Sequence, residues 1–164
     1  MKAIGIIPAR MASTRFPGKP LATLLGMPMI GHCFHRTQLA SGLAATYVAT
    51  CDSEIVDYIE GIGGNAVMTS DTHNRATTRT AEALETIEQN IDGHVDVVIM
   101  VQGDEPLIPP EAIAETLHHF ADPKVKIVNI MSKLPNFDAF VDKNNVKVVV
   151  DQNNNALYFS REPI

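Results

Sequence analysis

Ala3-Ile4-Gly5-Ile6-Ile7 is an unbroken apolar run, and Pro8-Ala9-Arg10-Met11-Ala12-Ser13-Thr14-Arg15-Phe16-Pro17-Gly18-Lys19-Pro20 follows it directly. A strand with one wet face alternates apolar and polar residues, whereas one covered on both faces reads as a continuous apolar run. The opening therefore predicts a buried strand of a mainly parallel sheet. Working outward, Thr46–Thr50, Asn65–Met68, Val95–Gln102, Lys126–Met131 and Asn145–Asp151 carry similar short, β-branched runs and read as further strands. Helical patterns fill the intervals. Met29–Ala40 begins after Pro28 and ends near Gly42. Ile55, Val56, Ile59 and Ile62 share one face of a helix that Ser53 can cap and Gly63-Gly64 stops. Ala81, Leu84, Ile87 and Ile91 recur at helical spacing within Ala76–Asn90, and a proline pair opens Pro110–Phe120. The alternation predicts a three-layer α/β fold, a mainly parallel sheet with helices on both faces. No repeat, low-complexity segment or linker interrupts it, and 164 residues predict a single domain, 1–164.

The chain is 45% apolar and 20% charged, the balance of a globular domain with a real core. No apolar run approaches the roughly 18 residues of a membrane span. The stretch after Met1-Lys2 is too short for a signal peptide. Cys33 and Cys51 make neither a disulfide framework nor a four-ligand zinc site, which fits a reducing cytoplasm. His32 and His35, three apart on a helix, lack a third metal ligand. A net charge of −6 argues against a nucleic-acid partner. Its distribution says more: Lys2, Arg10, Arg15, Lys19 and Arg36 all precede the first carboxylate, Asp52. That asymmetry suggests either a local anion site for a small ligand or charge clustered on a solvated face.

In parallel α/β sheets the ligand sits at the carboxyl ends of the strands, usually where strand order reverses. The loop after the first strand holds Arg10, Ser13, Thr14, Arg15, Gly18 and Lys19. Small residues let main-chain N–H groups approach phosphate oxygens, and an arginine fork can clamp two of them. A charged surface loop is the alternative. It is not a Walker loop, because Pro20 follows Gly18-Lys19 and no glycine stands five residues earlier. After the fourth strand comes Gln102-Gly103-Asp104-Glu105-Pro106. Such a segment serves either as a turn with a helix cap or as a carboxylate site for Mg²⁺, which takes one or two protein carboxylates and fills its other positions with phosphate oxygens and water.

Ile6-Ile7-Pro8-Ala9-Arg10, Ser13-Thr14-Arg15, Pro17-Gly18-Lys19-Pro20-Leu21 and Val101-Gln102-Gly103-Asp104-Glu105-Pro106 closely resemble the cytidylyltransferases that activate acidic sugars, above all those acting on 3-deoxy-manno-octulosonate. Asn145–Val149 and Phe159–Ile164 add to a similarity that covers essentially the whole chain. The resemblance implies the Rossmann-like fold of nucleotide-diphospho-sugar transferases. It implies a loop around the CTP triphosphate made of Pro8, Ala9, Arg10, Ser13, Arg15 and Lys19. Arg10, Arg15 and Lys19 are then the catalytic phosphate-binding cations. It further implies Mg²⁺ on Asp104 and Gln102 at the nucleotide. In that family the loop after the third strand reads His-x-Ser-Gly-Thr-Glu/Asp-Arg and lies against the cytosine. His73, Thr77 and Arg79 match it, while Arg75, Ala76 and Thr78 replace the serine, glycine and acid. Alanine lacks the backbone freedom of glycine, so Ala76 reshapes this loop.

The implied reaction is attack of the sugar's anomeric hydroxyl on the α-phosphorus of CTP, with pyrophosphate leaving, as in lipopolysaccharide assembly. The implied partners are CTP and an acidic sugar, with neither nucleic acid nor membrane, and a second copy in a homodimer where the family's C-terminal part is present. The family's second metal-binding aspartate, sugar-acid site and dimer contacts come from sequence beyond the part matched by Ile164, so 1–164 is expected to be a nucleotide-binding domain lacking them. The altered base loop raises the alternative of a non-catalytic nucleotide-binding module, a degenerate or truncated paralogue.

Overall fold

The computed structural model describes residues 1–12 and 16–164. Its strands are β1 (Ala3–Pro8), β2 (Thr23–Leu24), β3 (Met27–Pro28), β4 (Leu43–Thr50), β5 (Asn65–Met68), β6 (Val97–Met100), β7 (Lys147–Val150) and β8 (Ala156–Ser160). Its α-helices are α1 (Met29–Gln38), α2 (Ser53–Gly61), α3 (Ala76–Glu88), α4 (Pro110–His118) and α5 (Phe137–Val141). Every residue of β1 is buried, as its unbroken apolar run requires. β1 pairs in parallel with β4 on one side and β6 on the other, and β5 pairs in parallel with β4. The order β5-β4-β1-β6 puts the reversal of winding at β1, so the crevice between the exits of β1 and β6 is the switch point.

Alternate residues of the sheet face opposite layers. Ile7 and Val48 pack with Ile30, Cys33 and Phe34 of α1, Ile55 and Ile59 of α2, and Ile113 of α4. Ile4, Ile6, Ala49 and Val67 pack on the other face with Ala83 and Ile87 of α3. The α/β fold with helices on both faces of a parallel sheet is therefore present. Cutting any one of these buried isoleucines back to alanine would cost about 2–5 kcal/mol. Among the described residues, no helix is long and apolar enough to cross a membrane.

Two compact units form, Met1–Lys126 and Ile127–Ile164, where the sequence predicts a single one. The first holds the parallel sheet. In the second, β7 pairs antiparallel with β8 in its own two-stranded sheet, so the predicted strand at Asn145–Asp151 exists but does not extend the parallel sheet. The strand predicted over Lys126–Met131 does not form: this stretch joins none of the sheets, and Ile127, Ile130 and Met131 are exposed. An apolar run becomes a strand only where a neighbouring strand takes up its main-chain hydrogen bonds. The α2 cap also differs. Asp52 occupies the cap position and Ser53 is the first helical residue.

Candidate functional site

The exits of β1 and β6 are pressed together. Val101 N–H donates to Ile6 C=O at 3.0 Å, carrying the ladder one residue beyond β6. A Cβ on Gly103 would stand 2.8 Å from the Pro8 carbonyl oxygen, so only glycine lets the Gln102–Pro106 segment lie this close to the loop leaving β1. In that loop Gly18 adopts φ +72° and donates its N–H to Met11 C=O at 3.1 Å, which folds the loop back on itself. The fold-back sets Lys19 at the start of a short 3₁₀ turn, Lys19–Leu21. Lys19 Nζ then meets Asp104 Oδ2 at 2.7 Å, with side chains 34% and 47% exposed. The two motifs, 85 residues apart, converge through this ion pair.

Pro8 and Ala9 are buried at the mouth of the sheet, and Arg10 is exposed beside them. Arg10 Nη1 donates to the main-chain carbonyl of His73 at 3.3 Å, joining the loop after β1 to the loop after β5. His73 Nε2 is hydrogen-bonded to Glu82 Oε2 on α3, and Glu82 also accepts from Ser70 N–H at 3.0 and 3.2 Å. These bonds, His73's first and the Ser70 N–H next, hold the Glu82 carboxyl below the usual glutamate range. Arg75 and Thr77 are exposed and Ala76 half-buried at the start of α3. Gln102 is exposed just past β6. Arg79 stands apart from these: it is buried, and its guanidinium goes to Thr69 Oγ1 and, at 3.4 Å, to Cys51 Sγ. Ser13 and Arg15 lie outside the described residues.

Several participants are not legible as motifs. Asp52 Oδ2 accepts from Met11 N–H at 2.8 Å. Cys33, from α1, lies buried beneath the segment after β6: burial pushes its thiol up to about 11, the Glu105 main-chain hydrogen bond opposes this, and the Asp104 and Glu105 carboxylates add to it. It is therefore a neutral thiol at pH 7 and no nucleophile. Of the five cations preceding Asp52, two are structural. Lys2 Nζ donates to Asp92 C=O at 2.7 Å, and Arg36 Nε to Ile108 C=O at 2.6 Å. Arg10 and Lys19 are the described cations left at the strand exits. His32 Nε2 is hydrogen-bonded to Leu24 C=O at 2.8 Å, and no group of three metal-ligating side chains occurs among the described residues.

The family model described as cytidylyltransferase matches residues 4–164. The chain belongs to the cytidylyltransferase family. Relatives named 3-deoxy-manno-octulosonate cytidylyltransferase are 45% identical over 165 residues in Trichlorobacter lovleyi and 44% identical over 168 residues in Parabacteroides distasonis. Each match takes in all of this chain, which spans 63% and 64% of the length of those relatives. A solved structure, CMP:2-keto-3-deoxy-manno-octonic acid synthetase complexed with CTP, superposes with a TM-score of 0.85 at 35% identity, covering 100% of this chain and 66% of that one. A 4-diphosphocytidyl-2C-methyl-D-erythritol synthase superposes with a TM-score of 0.57 at 17% identity, over 72% of this chain and 54% of that one, which speaks for the shared fold alone.

Proposed function

We propose that this chain binds CTP at the exits of β1 and β6 and takes part in coupling it to an acidic sugar of the 3-deoxy-manno-octulosonate type, with release of pyrophosphate. The observation that carries this reading is the convergence of Lys19 and Asp104 at the switch point, 2.7 Å apart and both reachable from solvent. The name and CTP complex of the solved relative support it. The setting is a cytoplasmic, homodimeric enzyme of lipopolysaccharide assembly.

The reaction needs positioning and charge neutralisation rather than a covalent intermediate. Lys19 and Arg15 offset charge growing on the departing pyrophosphate, and Arg10 holds the phosphate chain against the loop that carries His73. Pro8 and Ala9, with Ser13, line the triphosphate; Arg75, Ala76, Thr77 and Gln102 face the nucleoside end. Arg79 acts from beneath this loop, holding Thr69 and Cys51. Asp104 suits Mg²⁺: it is a hard oxygen donor, half-exposed, with a cation that a metal can displace. Asp104 would hold Mg²⁺, which when bound would supply charge withdrawal at the α-phosphate.

Calorimetric titration tests this. CTP should bind more tightly with Mg²⁺ than without it, and more tightly than UTP, ATP or GTP. Lys19→Met should weaken CTP by about 1.5–3 kcal/mol, the worth of a charge-assisted hydrogen bond. Asp104→Asn should erase the Mg²⁺ enhancement while leaving Tm in place. Equal affinity for all four nucleotides overturns the reading. CTP binding without pyrophosphate release, when 3-deoxy-manno-octulosonate is supplied to a chain extended to the length of the relatives, would identify a nucleotide-binding module instead, the reading that the replaced residues Arg75, Ala76 and Thr78 favour.

A further inference from the structure

β4 lies between β1 and β5, so the segment leaving it stands between the phosphate-side and base-side loops. That segment is Cys51-Asp52, at the cap position of α2. A carboxylate there ordinarily accepts an N–H from the first helical turn. Asp52 makes no such bond. The first-turn N–H of Ile55 goes instead to the Asp52 main-chain carbonyl at 3.1 Å, beside the ordinary first helical hydrogen bond from Val56 N–H to the same carbonyl at 3.3 Å. Its side chain reaches out of the helix to take Met11 N–H at 2.8 Å, inside the loop that carries Arg10 and Lys19.

The carboxylate is aimed from behind. Cys51 Sγ donates to Asp52 Oδ2 at 3.6 Å and receives Arg79 Nη2 at 3.4 Å. Arg79 is 3% exposed and rises from α3, the helix that begins with the altered base-loop residues. Asp52 N–H is held by Thr50 Oγ1 at 3.1 Å. A continuous chain thus runs from α3 through a thiol and a carboxylate to the main chain of the phosphate-side loop.

We propose that Asp52 is a positioning residue: it gives up capping α2 in order to fix Met11 N–H, and so sets the phosphate-side loop for the triphosphate. Arg79 and Cys51 hold it to that task. The inference rests on the CTP-binding reading above and deepens it. Asp52 acts through the Met11 main chain, so its effect belongs to the phosphate end and not to the base.

The test compares CTP with CMP in the 164-residue chain, and follows exchange of the Met11 amide by NMR. Asp52→Ser keeps a capping oxygen for α2 but is too short to reach Met11. It should weaken CTP about five- to tenfold, the worth of one such hydrogen bond, and leave CMP nearly unchanged. Met11 exchange should speed up even without ligand. Asp52→Asn keeps the reach and loses the charge, so CTP should weaken only about two- to threefold. If Asp52→Ser does not fold, Asp52→Asn carries the test through the same CTP-to-CMP ratio. Equal weakening of both ligands, or unchanged Met11 exchange, overturns the proposal. Failure of the unaltered chain to bind CTP would sink the functional reading, while Met11 exchange would still decide whether Asp52 fixes the loop.

Discussion

Lys19 and Asp104 neutralise one another at 2.7 Å, yet both keep a third to a half of their side chains in solvent. An ion pair so exposed is worth about 0–1 kcal/mol, so phosphate oxygens and a metal can separate it at small cost. Lys19→Met should therefore leave chemical denaturation within about 1 kcal/mol of the unaltered chain, a loss confined to ligand binding. Gly103 behaves oppositely. A Cβ there meets the Pro8 carbonyl, a main-chain atom that cannot swing aside. Gly103→Ala should cost about 1–3 kcal/mol by overpacking and weaken CTP together with the fold. Glu82 gives the site a pH dependence. Its carboxyl is lowered from 4.5 in the folded chain, first by His73 and then by Ser70 N–H. A depressed carboxyl contributes stability above the unfolded value and loses it as pH falls through the folded one. Tm should then drop in acid below about pH 4.5, and Glu82→Gln should flatten that drop. An identical acid limb in the variant would remove Glu82 as its source.

At the level of elements, the β7–β8 hairpin raises a question of a buried charge. Lys147 is 4% exposed, and its ammonium pairs with no carboxylate among the described residues. Three N–H groups face three carbonyls instead: Asp142 at 2.8 Å, Asn145 at 2.9 Å and Arg161 at 2.5 Å. An ammonium can be buried only when all its donors are taken, and here one side chain ties the approach to β7 to the residue after β8. Lys147→Met matches the stem in length but leaves the three carbonyls unmet. It should destabilise Ile127–Ile164 by about 2–4 kcal/mol, read as lost amide protection in β7 and β8. Asp151 does comparable work at the turn, accepting from Asn153 and Asn155 N–H at 2.8 Å each while Asn154 takes φ +62°. The Asn155 side chain, then its main chain, holds the Asp151 carboxyl below its usual value, so the turn too loosens in acid.

Over the whole molecule, what the sequence reveals follows burial. β1 is legible because a strand covered on both faces is apolar throughout, and β4, β5 and β6 are legible as short runs between helical patterns. β8 escapes notice since Leu157, Tyr158 and Phe159 are all exposed, leaving no alternation to read. Lys126–Met131 misleads for the converse reason, being apolar without a ladder. Asp52 and Glu82 look like an ordinary cap and a helix-surface acid; their partners, Met11 at 41 residues' separation and His73 at nine, appear only once the chain is folded. Every motif residue from Pro8 to Asp104 falls within Met1–Lys126, the first compact unit. A ligand stabilises what it binds by mass action, about 2.7 kcal/mol at a hundred times Kd. CTP with Mg²⁺ should therefore slow exchange of the globally protected amides of β1, β4, β5 and β6 by about 100-fold, the same free energy expressed as a rate. The amides of β7 and β8 should exchange at unchanged rates if the second unit opens on its own. Mass spectrometric hydrogen exchange on the full chain reads both at once. Protection that spreads equally into Lys147–Ser160 would mean that the two units open as one, and that the nucleotide's free energy is shared across the boundary at Lys126.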